Sequence, residues 1–195
     1  MPLDLDLSSE QDMLTEMVAG VADRFSPLTR VRDLEDDPTG YSPELWAQLG
    51  ELGLIGLLLP EAHGGSGMSM VDAVVVYKEL GRNLVPSPHL VSSVLAGGLI
   101  ARGAGEDQQA QWLPTLASGE TVWAVAVRGP GGGFTDAGIT TKAVTTDAGF
   151  ALTGTKRHVF FASAARHLVV AARAADDRVD LFVVDAGAEG MTLTQ

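Results

Sequence analysis

Cysteine is absent from the 195-residue sequence, and lysine is nearly absent, since only Lys78, Lys142 and Lys156 are present. The lack of cysteine excludes disulfide bonds, thiolate nucleophiles and cysteine-based zinc sites. The arginines are scattered, and the formal net charge is −12. Because nucleic-acid surfaces need clustered lysine and arginine, we expect no nucleic-acid partner, and the acidic side chains indicate a solvated surface.

Long hydrophobic runs are also absent. No stretch approaches the roughly 18 consecutive apolar residues of a membrane helix. The N-terminal segment MPLDLDLSSEQDM has neither the basic residues nor the apolar core of a signal peptide. Hydrophobic residues still make up 46% of the chain, which is enough for a packed core. We therefore predict a soluble cytoplasmic protein with no membrane partner.

Helix signals dominate the first 120 residues. Ser8 and Gln11 have the spacing of a capping box, and the apolar residues that follow recur on one helical face. Ser42 before Pro43 is a second helix start, with a capping serine and a proline at the first helical position. The sequence predicts helices in the ranges 8–25, 42–53, 69–81, 87–103 and 106–114, the last broken at Pro114.

Short β-prone segments follow from residue 121. They lie at 121–127, 139–145, 150–153, 168–172, 180–184 and 191–194, with glycine or aspartate between them. This spacing predicts a β-sandwich or barrel, and helices followed by strands indicate an α+β protein. We predict a helical domain at 1–120 and an incomplete β domain at 121–195. Because a sheet that stops there leaves an open edge, we expect a truncated chain or a sheet completed by something else.

A glycine-rich stretch, VRGPGGGFTDAG at residues 127–138, is called the glycine loop below. It fails the dinucleotide pattern G-x-G-x-x-G, because Phe134 stands at the third glycine position. The segment GFALTGTK at 149–156 has the lysine and threonine of a P-loop in reversed order. The four histidines have no ligand spacing, so no metal site is predicted. The residues alone therefore predict an α+β protein without an assigned chemistry.

Three segments, taken in order, resemble the acyl-CoA dehydrogenase family. The first is LPEAHGGSGMSMVDAVVVYKELGR at 59–82, and the second is WLPTLASGETVWAVAVRGPGGGFTDAG at 112–138. The third is LTGTKRHVFFASAARHLVVAAR at 152–173, which is similar to the family pattern L-x-G-x-K-x-W-I-[TS]-N. The resemblance covers the whole chain, and the order of the segments makes it specific.

The resemblance implies a helical N-terminal domain, a middle β domain and a C-terminal four-helix domain, of which only the first two are present. It also implies FAD as cofactor, an acyl-CoA substrate from fatty-acid or steroid side-chain degradation, and assembly with homologous subunits. Family members remove the α-proton with a carboxylate while the β-hydride goes to flavin. Their base is a glutamate of the C-terminal domain, so we assign no catalytic residue in this chain.

Flavin contacts implied by the resemblance fall on two segments. Val125, Val127, Arg128 and Gly133 take the positions of a strand and loop that touch the isoalloxazine largely through backbone amides. His158 takes the position of a tryptophan beside the flavin, and Phe160 that of a ring-contacting threonine or serine. Arg128 likewise replaces a threonine whose hydroxyl bonds the ring. Phe134 takes the position of a serine at the edge of the acyl-CoA site.

These replacements leave three interpretations open. The first is an active FAD-dependent acyl-CoA dehydrogenase that holds flavin mainly by backbone amides. The second is a non-catalytic subunit with a weakened flavin site that completes an active homologous partner. The third is a relative with other flavin chemistry. Each hydrogen bond lost to the flavin removes about 1 kcal/mol, so several losses at one surface weigh toward the second interpretation.

Overall fold

The computed structural model describes residues 6–133, 135–147 and 149–194. Helices occupy the first part of the chain. They are α1 (Ser9–Phe25), α2 (Leu28–Asp33), α3 (Pro43–Glu51), α4 (Met70–Arg82), α5 (Gly97–Gly103) and α6 (Glu106–Ala117). Among the described residues no helix is both long and apolar enough to cross a membrane.

The helix starts follow the capping residues of the sequence. Ser8 and Gln11 form the predicted capping box, and the Ser42 hydroxyl accepts a hydrogen bond from a backbone N–H of α3. At α4 the carboxylate of Asp72 accepts hydrogen bonds from the backbone N–H and the hydroxyl of Ser69. The contacts that involve a backbone N–H satisfy donors that a helix terminus leaves open. The predicted helix starts at Ser8, Ser42 and Ser69 are therefore confirmed.

Pro114 lies inside α6, so the predicted break at this residue is wrong. Proline removes one helical hydrogen bond and costs roughly 3 kcal/mol in a helix interior. Leu113 and Leu116, on either side of it, are fully buried. Since each buried leucine contributes roughly 1.5–3 kcal/mol, their packing offsets the cost of the proline. The predicted helix at 87–103 also differs, because Leu90–Ala96 forms a π-helix that leads into α5.

One hydrophobic cluster holds α1, α3 and α4 together. Its buried members include Leu14, Val18 and Val21 of α1, which lie on the predicted apolar face. Trp46 of α3 is buried in the same cluster, and its indole N–H donates a hydrogen bond of 2.8 Å to the carbonyl of Gly119. The cluster therefore fixes both the helix packing and the turn that precedes the sheet.

His89 is fully buried at the start of the π-helix segment. Its Nε2–H donates a hydrogen bond of 2.8 Å to the Leu54 carbonyl, so Nδ1 of the neutral ring accepts a hydrogen bond of 2.7 Å from the Tyr77 hydroxyl. Burial lowers the pKa of His89 below its usual value, and the bond to Leu54 raises it by less. One neutral histidine thus ties α4 to the loop at residue 54.

Five strands form a single mixed sheet. They are β1 (Trp123–Ala126), β2 (Lys142–Thr146), β3 (Gly149–Thr153), β4 (His167–Arg173) and β5 (Val179–Asp185). β5 pairs antiparallel with β4 along its whole length, so β1 and β2 share the other edge of β4. Both of these pairings are parallel, whereas β2 and β3 form an antiparallel hairpin.

The sheet curls on itself. The rings of Phe150 on β3 and Phe182 on β5 lie 5.1 Å apart, although their strands are not neighbours in the sheet. Helices followed by a curled sheet confirm the predicted fold class. The predicted strand at residues 191–194 is wrong, because these residues form no strand and Met191 packs on the buried cluster of the sheet. The boundary between 1–120 and 121–195 stays a prediction.

Lys156 anchors the chain where it leaves β1. Its ammonium donates a 3.0 Å hydrogen bond to the carbonyl of Val127, and the backbone N–H of Arg157 donates to the carbonyl of Arg128 at 2.9 Å. Burial lowers the pKa of Lys156. Gly154 has φ +155°, and a Cβ there would stand 2.7 Å from the Cα of Thr141, so glycine is needed for this approach.

We predict that His89→Gln reduces the pH dependence of stability between pH 5 and 7. The unfolded chain takes up a proton near pH 6.5, whereas folded His89 does so only at lower pH. The free energy of unfolding should therefore fall below pH 6.5, by up to about 1.4 kcal/mol per pH unit from this residue. Urea unfolding at several pH values measures the slope. His63→Gln is the control and should keep the slope of the natural sequence. Equal slopes in the two variants would contradict the assignment of this pH dependence to His89.

We predict that Lys156→Met lowers the free energy of unfolding by about 1–3 kcal/mol, because the Val127 carbonyl loses its charged donor. Lys142→Met is the matched control, since Lys142 is exposed on β2, and its effect should stay within about 0.5 kcal/mol. Denaturant midpoints of the two variants make the comparison. A similar loss in both would show that the Lys156 contact does not hold the loop.

Candidate functional site

The predicted flavin positions begin at the end of β1. Val125 is half-buried, and its side chain packs against the cluster that contains Trp123 and Val169, on the side of the helical domain. Val127 follows the last residue of the strand, and its carbonyl is the acceptor for Lys156. At these two positions the chain is held by packing and by one charged hydrogen bond.

The glycine loop folds back on itself. The N–H of Gly132 donates to the carbonyl of Gly129 at 3.1 Å, and Gly132 and Gly133 both have positive φ, of 75° and 84°. A Cβ at Gly129 would stand 2.5 Å from the carbonyl oxygen of Gly138, so the two ends of the loop touch. Gly133 is exposed. Phe134, the predicted substrate contact, lies outside the described residues.

Arg128 takes the position where the resemblance implies a threonine. Its side chain is half-buried, and Nη2 lies 3.7 Å from the point where a Cβ would stand on Gly132. The guanidinium thus lies against the glycine loop. It presents a planar set of N–H donors with no acceptor, whereas a hydroxyl both donates and accepts. The hydrogen-bonding chemistry at this position therefore differs from that of the family.

The second predicted segment has a strained backbone. His158 and Phe161 both have φ 55°, a conformation that bulky side chains seldom adopt. Phe161 packs edge-on against Tyr41 at 6.4 Å, and the Ser163 hydroxyl donates to a carbonyl of the loop before α3. Phe160, between His158 and Phe161 in the sequence, is 68% exposed. The helical domain therefore fixes this segment and directs Phe160 outward.

The structure brings some predicted residues together and separates others. Arg128 and His158 come close, because the residue before His158 bonds the Arg128 carbonyl. Val125 faces the helices, and Phe160 is exposed. Sequence reasoning noted Lys156 only as part of the family pattern and did not find its contact with the end of β1. The pairing of the Val127 carbonyl with a lysine 29 residues away has no signal in the local sequence.

A cleft of about 1910 Å³ opens along the curled sheet. Apolar side chains of β4 and β5 line much of it, and Lys156 and His158 also reach it. Of the predicted flavin residues, His158 is the one that lines this cleft. Thr141 lies there too, and its buried hydroxyl has no hydrogen-bond partner among the described residues. The cleft and the end of β1 are thus neighbouring features.

The side chains at the predicted ring contacts do not fit an isoalloxazine as the resemblance implies it is held. Arg128 lies against the glycine loop, His158 is smaller than the expected indole, and Phe160 is exposed and has no hydroxyl. We therefore derive no reaction step through the flavin.

Comparisons with known proteins agree with this architecture. FadE27, an acyl-CoA dehydrogenase of Mycobacterium tuberculosis, is 29% identical over 98% of this chain, which spans 50% of that relative. The ChsE4-ChsE5 complex of Mycobacterium tuberculosis is 29% identical with a TM-score of 0.86, covering 98% of this chain and 51% of that one.

An acyl-CoA dehydrogenase of Bacillus anthracis, solved with FAD, is 26% identical with a TM-score of 0.87, covering 97% of this chain and 33% of that one. The model of the acyl-CoA dehydrogenase N-terminal domain matches residues 8–120. That match covers more than half of the sequence and every helix described above. The chain therefore belongs to the acyl-CoA dehydrogenase family.

Proposed function

We propose that the protein takes part in FAD-dependent α,β-dehydrogenation of an acyl-CoA thioester. The helical domain, matched over residues 8–120, is the observation that carries this proposal. The FAD complex of the Bacillus anthracis relative supports the choice of cofactor. Two further points stay predictions: that the acyl group is a fatty acyl or steroid side chain, and that the protein is cytoplasmic.

The chain has two ways to contribute to that reaction, and the geometry at Arg128 favours the second. In the first, this subunit holds flavin through the backbone of β1 and the glycine loop. In the second, it is a non-catalytic subunit that completes the site of an active homologous partner. The guanidinium against Gly132 and the exposed Phe160 favour the partner role, because they replace two hydroxyl contacts at one surface. The related ChsE4-ChsE5 structure is a complex of two named components.

The partner role also explains why the scaffold persists. Lys156 still bonds the end of β1, and the strained segment at His158 is still held by the helical domain. These contacts keep the surface in shape without any flavin contact. A subunit that supports a neighbour needs this shape, whereas it does not need the hydroxyl groups of the ring site.

We predict that the purified chain alone carries no visible flavin absorption and that a homologous subunit becomes active when the two are co-expressed. Absorption spectra of each subunit and of the complex measure the bound flavin. An assay of acyl-CoA oxidation by the complex measures the activity. A chain that is yellow alone and is bleached by acyl-CoA would rule out the partner role. A colourless chain that restores a partner's activity would rule out the first role.

We predict that the triple variant Arg128→Thr, His158→Trp and Phe160→Thr binds FAD more tightly than the natural sequence. Each restored contact should contribute about 1 kcal/mol, so three correspond to roughly a hundredfold lower Kd. Quenching of FAD fluorescence on titration with protein gives the Kd without an activity assay. Arg157→Thr, an exposed neighbouring change, is the control and should have little effect. An unchanged Kd in the triple variant would mean that other residues close the site.

A further inference from the structure

The glycine loop is held at its two ends by different cationic side chains. Lys156 holds its first end, where the chain leaves β1. The last residues of the loop form a short 3-10 helix, Asp136–Gly138. The side chain that contacts this second end is Arg173, the last residue of β4. The contacts of this arginine show how the end of the loop is fixed.

Arg173 donates hydrogen bonds to three backbone carbonyls. Nε lies 3.0 Å from the carbonyl oxygen of Ile139, and Nη2 lies 2.6 Å from that of Asp136. Nη1 lies 2.8 Å from the carbonyl oxygen of Asp177 and 3.3 Å from the carboxylate of the same residue. Asp136 belongs to the glycine loop, Ile139 follows the loop directly, and Asp177 lies in the turn between β4 and β5. Each guanidinium nitrogen therefore has its own acceptor, and together they join two separate segments.

The guanidinium group suits this arrangement better than any other cationic side chain. It carries five N–H donors in one rigid plane and has no acceptor, so it can bond several carbonyls that lie around its edge. Lysine has its charge and donors on a single nitrogen and does not span the same three acceptors. The side chain of Arg173 is 22% exposed, so these charge-assisted hydrogen bonds are partly shielded from water, which strengthens them.

The backbone of Arg173 also connects the glycine loop to the sheet. Its N–H donates to the Thr141 carbonyl at 2.8 Å, and Arg173 pairs with Lys142 where β2 joins β4. A Cβ at Gly138 would stand 2.7 Å from the carbonyl oxygen of Gly132, so the end of the loop packs directly against its middle. A shift of the segment that Arg173 holds would therefore displace the middle of the loop as well.

We propose that Arg173 is a positioning residue, which holds the end of the glycine loop against the sheet and thereby sets the shape of the surface at the end of β1. Lys156 and Arg173 then fix the loop at its two ends. The inference deepens the proposed function, because this surface is the one that would hold flavin or complete a partner's site. It rests on the proposed function only for that role, whereas the geometry rests on the contacts of Arg173.

Hydrogen exchange on the full chain tests the contact. In Arg173→Ala the backbone amides of Gly138 and Ile139 should exchange about tenfold to a hundredfold faster, the factor that corresponds to the loss of one charged hydrogen bond. Arg178→Ala is the matched control, because it removes an arginine whose guanidinium pairs with aspartates of its own hairpin, and it should leave these amides unchanged. Equal acceleration in the two variants, or none in Arg173→Ala, overturns the proposal.

Chemical rescue separates positioning from a general loss of stability. Guanidinium chloride, well below the concentration that unfolds the protein, should restore slow exchange of the two amides in Arg173→Ala, because the free ion replaces the missing group. Methylammonium chloride at the same concentration supplies the charge without the planar donors and should not restore it. Since guanidinium weakens folded proteins in general, a rescue does not arise from global stabilisation. The same response to both salts would contradict the role given to the guanidinium.

Activity of the co-expressed complex tests the consequence for the reaction. Arg173→Ala should lower kcat/KM for acyl-CoA oxidation about tenfold to a hundredfold, as expected for a displaced site, and guanidinium but not methylammonium should restore it. Unchanged activity in a variant whose loop exchanges faster would overturn the positioning role. A complex of the natural chain that oxidises no acyl-CoA would count against the proposed function, and the exchange measurement, which needs neither flavin nor activity, would still decide whether Arg173 holds the loop.

Discussion

Burial of Trp123 at the first residue of β1 is the constraint on which the rest of the molecule depends. The side chain is fully buried, its backbone N–H donates to the Ser92 hydroxyl at 3.0 Å, and its indole N–H donates to Thr121 at 3.1 Å. Its ring lies 5.7 Å from Trp112 of α6 and 4.6 Å from the ring of His167 on β4. One residue therefore fixes the π-helix segment, the last helix and the central strand against each other. The register of β1 on β4 starts from it, and the position of the glycine loop follows from that register.

Features determined by neighbouring residues were predictable from the sequence, and features determined by distant ones were not. The capping residues Ser8, Ser42 and Ser69 act within three positions, so the helix starts could be found. Continuation of α6 through Pro114 depends on leucines buried by other elements, which local propensity does not contain. The parallel pairing of β1 with β4 joins residues more than forty positions apart, and no turn signal announces it. The order of helices and strands can thus be predicted from the composition and from the periodicity of apolar residues. The register of the strands depends on how the core packs.

At the candidate site the same distinction separates backbone from side chains. The family resemblance located the glycine loop and the segment at His158 because glycine and lysine spacing reports backbone shape. It did not reveal how Arg128 is placed, since a side chain's direction depends on what surrounds it. The backbone there is held by the hydrogen bonds from Lys156 and Arg157 and by the packing of Phe161 on Tyr41. None of these contacts involves a flavin. The scaffold can therefore keep its shape while the residues at the predicted flavin positions change, so membership of the family does not by itself imply that this chain binds a flavin.

β4 also separates two surfaces of the protein. One of its edges pairs with β1, which leads into the glycine loop, and the other pairs with β5 along its whole length. β1 and β5 therefore lie on opposite edges of β4, so the glycine loop and β5 belong to different parts of the sheet. The excess of acidic residues lies in the first 120 residues, whereas the sheet carries balanced charge. Association through the sheet is therefore opposed less by long-range repulsion than association through the helical domain would be. The end of β1 lies in the part of the chain with balanced charge, so the partner role proposed for that surface does not have to overcome the acidic excess of the helices.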